Sequence, residues 1–292
     1  MDIRNVQKTG DMFYVYLPTH WCREHKISPK SKVGLIQSSD GSLNISPHIT
    51  EKKPKDIVIS IGESNQNIIH KLVVACYINP AKSFRINLEK EMDFTELLNQ
   101  KRLISLESVE LDKKQITCES TITVSDPDSL LKTMVRKIKN MLTVMQKNYD
   151  SELIGRYEDE IDRSKMLIDK SIITSLTFEK QPKLNTIDLY YITLISKDLE
   201  RMVDHLINLP KAEISFFNSI AEVIDYLHFI VENFNALDYK KAIELLKKLQ
   251  KVKEPEIRDI KGYDKQRIRL SLDTIADVIL DWAITKEVEK TK

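Results

Sequence analysis

The sequence predicts an α+β multidomain chain: short strands over residues 1–50, a small α+β unit over 51–124 and a bundle of six helices over 125–292. Three observations carry that division. Runs of β-branched and aromatic residues broken by Gly10-Asp11 and Asp40-Gly41 crowd the opening segment. The polar, proline-containing stretch Glu51-Lys52-Lys53-Pro54-Lys55 then interrupts the pattern. After Ser125 apolar residues recur at three- and four-residue steps over long windows, the period of helices with one buried face.

The first segment reads as two strands, Val6 to Gly10 and Met12 to Leu17, closed by Pro18. Thr19 is placed to cap one or two helical turns through His25. Val33 to Gln37 and Ser42 to Ser46 form a hairpin around Ser39-Asp40-Gly41, because Asp-Gly readily takes the positive φ angles of a tight turn. So little apolar mass is marginal as a separate unit, and a dimer through this segment would supply the missing core.

In the middle unit, 57–61 and 83–87 read as strands. Between them a helical stripe runs through Ile68, Ile69, Leu72, Val73 and Cys76. A short helix over 94–98 and two further strands, 103–111 and 115–124 around Asp112-Lys113-Lys114, complete it. Nothing in this unit forms a catalytic constellation.

The first bundle helix starts at Asp126-Pro127, with Ser125 or Asp126 capping and proline tolerated in the first turn. Leu131, Met134, Val135, Ile138, Met141, Leu142 and Met145 trace its buried face, and the methionines there read as adaptable core. Further helices are expected over 151–172, 185–209 (stopped by Pro210), 215–234, 238–252 and 265–286. Six antiparallel helices group as two three-helix units.

Composition bounds function. The 292 residues carry 45 Lys+Arg against 44 Asp+Glu, so no whole-chain field draws nucleic acid or an anionic membrane, and such binding must be local. Cys22, Cys76 and Cys118 lie far apart, which excludes a zinc ribbon and suits a reducing compartment. With 6 glycines there is no Gly-rich nucleotide cradle. Neither a signal pattern nor a long uninterrupted apolar window is present, so a cytoplasmic protein without membrane insertion is expected.

The sharpest chemical pattern is a set of carboxylate pairs four residues apart: Glu158 and Asp162, Glu200 and Asp204, and Asp273 and Asp277. Each acid directly follows an apolar stripe residue: Tyr157 and Ile161, Leu199 and Val203, Leu272 and Ala276. At about 100° per residue all three pairs flank the core seam. Packed helices can bring such pairs into one oxygen-rich site, where hard oxygens favour magnesium, calcium, manganese or iron, with zinc left open. The competing assignment is a solvated or ion-paired face, with Arg163 and Arg201 as the basic partners. His205 and His228 are candidate nitrogen ligands or hydrogen-bonded bystanders. No nucleophile, His pair or phosphate-gripping loop accompanies the acids, which argues against an enzyme.

Two resemblances add to this reading. Val6-Gln7-Lys8-Thr9-Gly10, Tyr14-Val15-Tyr16-Leu17-Pro18, Trp21, Ile27-Ser28-Pro29-Lys30-Ser31 and Asp40-Gly41-Ser42-Leu43 resemble the AbrB-type swapped-hairpin domain. That resemblance implies an intertwined homodimer, and DNA contact through Arg4, Lys8, Lys26, Lys30 and Lys32. The same fold also serves as a dimerisation or antitoxin module alone, and Ser31-Lys32 stands where the family usually has Gly-Asp. Asp198-Leu199-Glu200-Arg201-Met202-Val203-Asp204-His205 resembles the Glu-Arg-hydrophobic-Gly-Asp-His motif of PhoU regulators, with Val203 where the family has Gly. Tyr157 to Asp162 resembles its partner motif. Together the two halves are similar to archaeal PhoU-domain regulators of phosphate uptake carrying an AbrB-like domain. The resemblance implies a divalent or trivalent metal ion (iron, zinc, magnesium or manganese) held by Glu158, Asp162, Glu200 and Asp204. It also implies restraint of phosphate uptake, through DNA or through a phosphate transporter ATPase or its sensor. In the second repeat Asp273 replaces Glu, Thr274 replaces Arg, and the helix around Glu244 lacks a matching pair. A second metal site at Asp273 and Asp277 is the weaker expectation.

Overall fold

The structure, a computed structural model, describes residues 3–37, 41–47, 55–91, 109–119, 126–178 and 184–290. The chain is α+β and forms two compact units, 1–53 and 54–292.

In the first unit β1 (Gln7–Thr9) pairs antiparallel with β2 (Met12–Tyr14) across Gly10, whose φ of 61° lies in the left-handed region that favours glycine. The second strand ends three residues short of Leu17. Helix α1 (Thr19–Glu24) follows, and the cap position belongs to Pro18, so Thr19 is already the first helical residue. β3 (Gly34–Gln37) and β4 (Leu43–Ser46) make the second antiparallel ladder, with Gly41 at φ 82° in the turn. Ser39 and Asp40 of that turn lie outside the described residues. No described residue of this unit is buried: Ile3, Val6, Met12, Phe13, Tyr16, Leu35 and Leu43 are all largely exposed.

The second unit opens with a mixed sheet. β5 (Ile57–Ile61) and β6 (Ser83–Leu88) run parallel, joined by helix α2 (Gln66–Ile78), and β7 (Val109–Asp112) and β8 (Gln115–Glu119) complete the order β5-β6-β8-β7. Asn65 caps α2 by accepting from the backbone N–H groups of Asn67 and Ile68. Phe84, Ile86, Ile116 and Cys118 face Ile69, Val73, Cys76 and Tyr77 of the helix. Ile68 falls about 100° off that stripe and is half exposed. The helix expected over 94–98, the stretches 103–108 and 120–124, and 51–54 of the linker lie outside the described residues.

Helices α3 (Pro127–Lys147), α4 (Ser151–Phe178), α5 (Thr186–Leu206), α6 (Ile214–Glu232), α7 (Tyr239–Gln250) and α8 (Ile260–Lys290) form the bundle. Pro127 sits at the first turn of α3 without a side-chain cap from Asp126, and all seven stripe residues from Leu131 to Met145 are buried. Asn185 and Asp238 cap α5 and α7 by accepting from Asp188 and Lys241 N–H. Two polar ties clamp α5 antiparallel to α8. Near one end the buried Asp188 carboxylate accepts from the Trp282 indole at 2.6 Å and meets the Lys286 ammonium at 3.3 Å. At the other, His205 Nδ1 lies 2.8 Å from buried Asp264. The stretch Lys211–Glu232 is long and apolar enough to cross a membrane, with mean hydropathy 1.3. Its apolar face, from Phe217 through Val231, is instead buried in the bundle.

Helix α4 joins bundle and sheet. Ile161, Ile168 and Ile172 enter the bundle core, while Met166 joins the sheet cluster and buried Lys170 lies 4.1 Å from the Tyr77 ring centroid. Burial pushes the Lys170 amine down, opposed by the nearby Cys118 sulfur. Above the unfolded amine's ordinary value both states are neutral. As pH falls through the alkaline window towards the folded value, the unfolded chain binds the extra proton and stability is lost. Lys170→Met should remove that slope and raise neutral-pH stability by about 1–3 kcal/mol, read from urea midpoints across neutral to alkaline pH. Parallel pH profiles for both proteins would refute this placement of the charge.

Candidate metal centre

Three half-buried carboxylates converge between α4 and α5. Asp162 follows buried Ile161, Glu200 follows buried Leu199, and Asp204 follows buried Val203. An acid one residue past the seam sits at the edge of the packed face, neither in the core nor facing straight out. One oxygen from each of Asp162, Glu200 and Asp204 lies within 4.8 Å of the others. Glu158, one turn earlier on α4 and also half-buried, contributes no oxygen to this group.

Beside the group opens a cavity of about 540 Å³ between α2, α4 and α5. Asp162 and Glu200 line it together with three cations, Lys165, Lys197 and Arg201. Two of the cations already have acidic partners: Lys165 bonds Asp169 at 2.5 Å, and Arg201 reaches Asp198 at 3.4 Å. Asp169 and Thr193 also border it, and Val74 and Ile78 of α2 with Met166 of α4 supply its apolar wall. Of the two arginines expected as partners, Arg201 borders the cavity, while Arg163 helps lower the Glu160 carboxyl after the larger effect of the Lys137 hydrogen bond. Lys165, Lys197 and the α2 wall were not foreseen from sequence. Spacing on α4 and α5 hints at the lysines, but no local signal announces that α2 lies against them.

The donor set suits a hard cation. Three oxygens within 4.8 Å of one another lie at most about 2.8 Å from a common centre, so a small inward shift of the side chains would let one ion bind all three and keep positions for water. Without positive charge, three anions so close repel strongly in a half-buried site. No thiol competes: Cys76 and Cys118 are buried in the sheet cluster.

The second pair is arranged differently. Asp277 is exposed, and Asp273 meets Arg269 one turn earlier at 3.4 Å. Burial pushes the Asp273 carboxyl up; Arg269 opposes it, and Asp277 and Glu254 add to it. The packed neighbour α7, with Glu244 as its one carboxylate, offers no matching pair. Among the described residues, Asp162, Glu200 and Asp204 form the one group of three candidate ligands. His205 turns to Asp264 and its ring meets Tyr263 edge-on, and His228 lies 3.5 Å from Glu232, so neither joins that group.

The candidate nucleic-acid contacts, Arg4, Lys8, Lys26, Lys30 and Lys32, are all exposed on the first unit. Lys26 and Lys30 have positive φ, at 53° and 78°, and Lys8 lies 5.4 Å from the Phe13 ring centroid.

A family model, PhoU domain, matches residues 129–211. The match takes in nearly all of α3 and the whole of α4 and α5, and with them all three converging carboxylates. No curated protein and no solved structure matches the chain.

Proposed function

We propose that this protein is a cytoplasmic, non-enzymatic regulator of phosphate homeostasis, in which a PhoU-like bundle of two three-helix repeats, α3–α5 and α6–α8, is joined to a swapped-hairpin dimerisation unit. The observation that carries the reading is the PhoU-domain match over 129–211, the stretch that brings Asp162, Glu200 and Asp204 together. Those three residues would hold a divalent or trivalent ion, with Glu158, one turn from Asp162 on α4, as the expected source of a further oxygen. A bound cation supplies charge neutralisation there, tying α4 to α5 and stabilising the folded bundle.

Two routes to control fit this reading. Five exposed basic residues on the first unit favour DNA contact, which would make the chain a transcriptional regulator. The alternative is an adaptor that restrains a phosphate transporter ATPase or its sensor without touching DNA. The test of the common premise is phosphate uptake in cells lacking the protein. Uptake under phosphate-rich conditions should rise severalfold and return to normal on complementation with wild type, but not with Asp162→Asn/Glu200→Gln. Unchanged uptake on deletion would remove the phosphate reading altogether.

A further inference from the structure

Helix α7 breaks the charge balance of the chain. Residues 239–253 hold six lysines, one glutamate and no arginine, in a protein whose formal net charge is +1. Ala242, Leu245 and Leu249 bury one side of this helix in the bundle. On the opposite side Lys240, Lys247 and Lys251 recur at helical spacing and are all exposed; Glu244 shares that side and lies 3.7 Å from Lys247, which leaves the ridge with a net positive charge. Tyr239 and Ile243, one turn apart along the neighbouring strip, are 43% and 41% exposed. Lys241 serves the helix start instead, bonding the Ala236 carbonyl and meeting Asp238. On the other flank Lys248 lies 5.3 Å from the ring centroid of Tyr226, whose ring is 5.7 Å from that of exposed Phe229 on α6. A mainly lysine ridge thus runs between an exposed apolar strip, Tyr239 and Ile243, and the exposed Phe229 ring of α6.

We infer that this ridge is a peripheral docking surface for an anionic lipid bilayer, with Lys240, Lys247 and Lys251 at the headgroups and Tyr239 and Ile243 entering the interfacial layer. Three features select a bilayer. The surface is the convex outer side of a helix, which suits a plane whose anions can move laterally beneath it. Its cations are all lysine, point charges without the forked geometry that reads fixed phosphates or carboxylates, and lysine is depleted at protein interfaces. Aliphatic Ile243 beside the ridge gains from an acyl boundary, and the Tyr239 ring one turn away suits the headgroup level, apolar body inward and hydroxyl in water. The contact lies on the surface and is not a membrane span, because the apolar face of α6 is already buried.

The test uses the full chain and vesicle co-sedimentation. With phosphatidylglycerol and phosphatidylcholine in roughly one-to-two proportion, wild type should partition to vesicles at low salt and detach as salt rises. Lys240→Gln/Lys247→Gln/Lys251→Gln should lower partitioning about a hundredfold, and Ile243→Ser about fivefold. Both variants change exposed positions, and circular dichroism checks that they keep the fold. The inference is overturned if the triple variant partitions like wild type, or if vesicles of phosphatidylcholine alone bind equally well. Lysine-dependent capture of duplex DNA with no vesicle binding would also overturn it and assign the ridge to nucleic acid. Neither result bears on the phosphate reading, which stands on α3–α5.

Discussion

Asp162→Asn/Glu200→Gln should abolish metal-dependent stabilisation while leaving the fold intact. The two substitutions keep side-chain volume and remove two of the three converging anions, one from each helix, so no single ion can still bridge α4 and α5. An ion that binds only the folded state at about a hundred times its dissociation constant adds about 2.7 kcal/mol, which for a unit of this size raises Tm by roughly 5–10 °C. Wild type should show that rise on adding magnesium, manganese, iron or zinc one at a time, and lose it with chelator. The double variant should melt at one temperature under both conditions, and that temperature should match or exceed metal-free wild type, since repulsion among the acids is relieved. Glu158→Gln should keep most of the shift, because its carboxylate lies outside the converging group. If wild type takes up no metal at any supplied concentration and the double variant melts higher, the three acids are an ion-paired edge facing Lys165, Lys197 and Arg201.

What the sequence made legible follows from periodicity. The stripe from Leu131 to Met145 is buried residue for residue, and the one-residue offset of Asp162, Glu200 and Asp204 from buried Ile161, Leu199 and Val203 places them half-buried. Local rules succeed there because a helix fixes the angle between neighbouring side chains. The features that escaped depend on chain segments far apart in sequence. The wall that α2 adds to the cavity comes from Val74 and Ile78, some ninety residues before the α4 acids it faces. His205 is drawn to Asp264 and Asp188 to Trp282, pairs separated by 59 and 94 positions. Glu158 shares the offset of Asp162, yet only Asp162 joins the group, because convergence needs the right level along both helices as well as the right face. Lys170 is the reverse case: a charged residue that pattern reading assigns to solvent is buried because α4 packs on two sides.

Removing residues 1–53 should turn a dimer into a monomer without lowering the melting temperature of the rest. The described residues of this unit bury nothing, yet they include Ile3, Val6, Met12, Phe13, Tyr16 and Leu35, each more than 60% exposed. Burying a side chain of this kind is worth about 1.5–3 kcal/mol, and two three-residue strands with a separate short hairpin have no internal core to provide it. A second copy can, because each apolar face then covers its twin and one symmetric contact satisfies both chains. Residues 54–292 have their own cores in the sheet and the bundle, so their stability should not depend on the missing unit. Sedimentation equilibrium of the full chain and of 54–292 measures the first claim, and melting of the two at equal concentration measures the second. The same pair of proteins separates the two routes of control. If Arg4, Lys8, Lys26, Lys30 and Lys32 meet phosphates, the full chain should bind duplex DNA with an affinity that falls steeply with salt, the log–log slope changing by about 0.9 for each contact. Replacing Arg4, Lys8 and Lys32 by alanine should flatten that slope by nearly three per chain, and 54–292 should show none of it. A truncated chain that dimerises as tightly as the full one would move the dimer contact into 54–292 and leave the exposed strands of the first unit to cover some other surface.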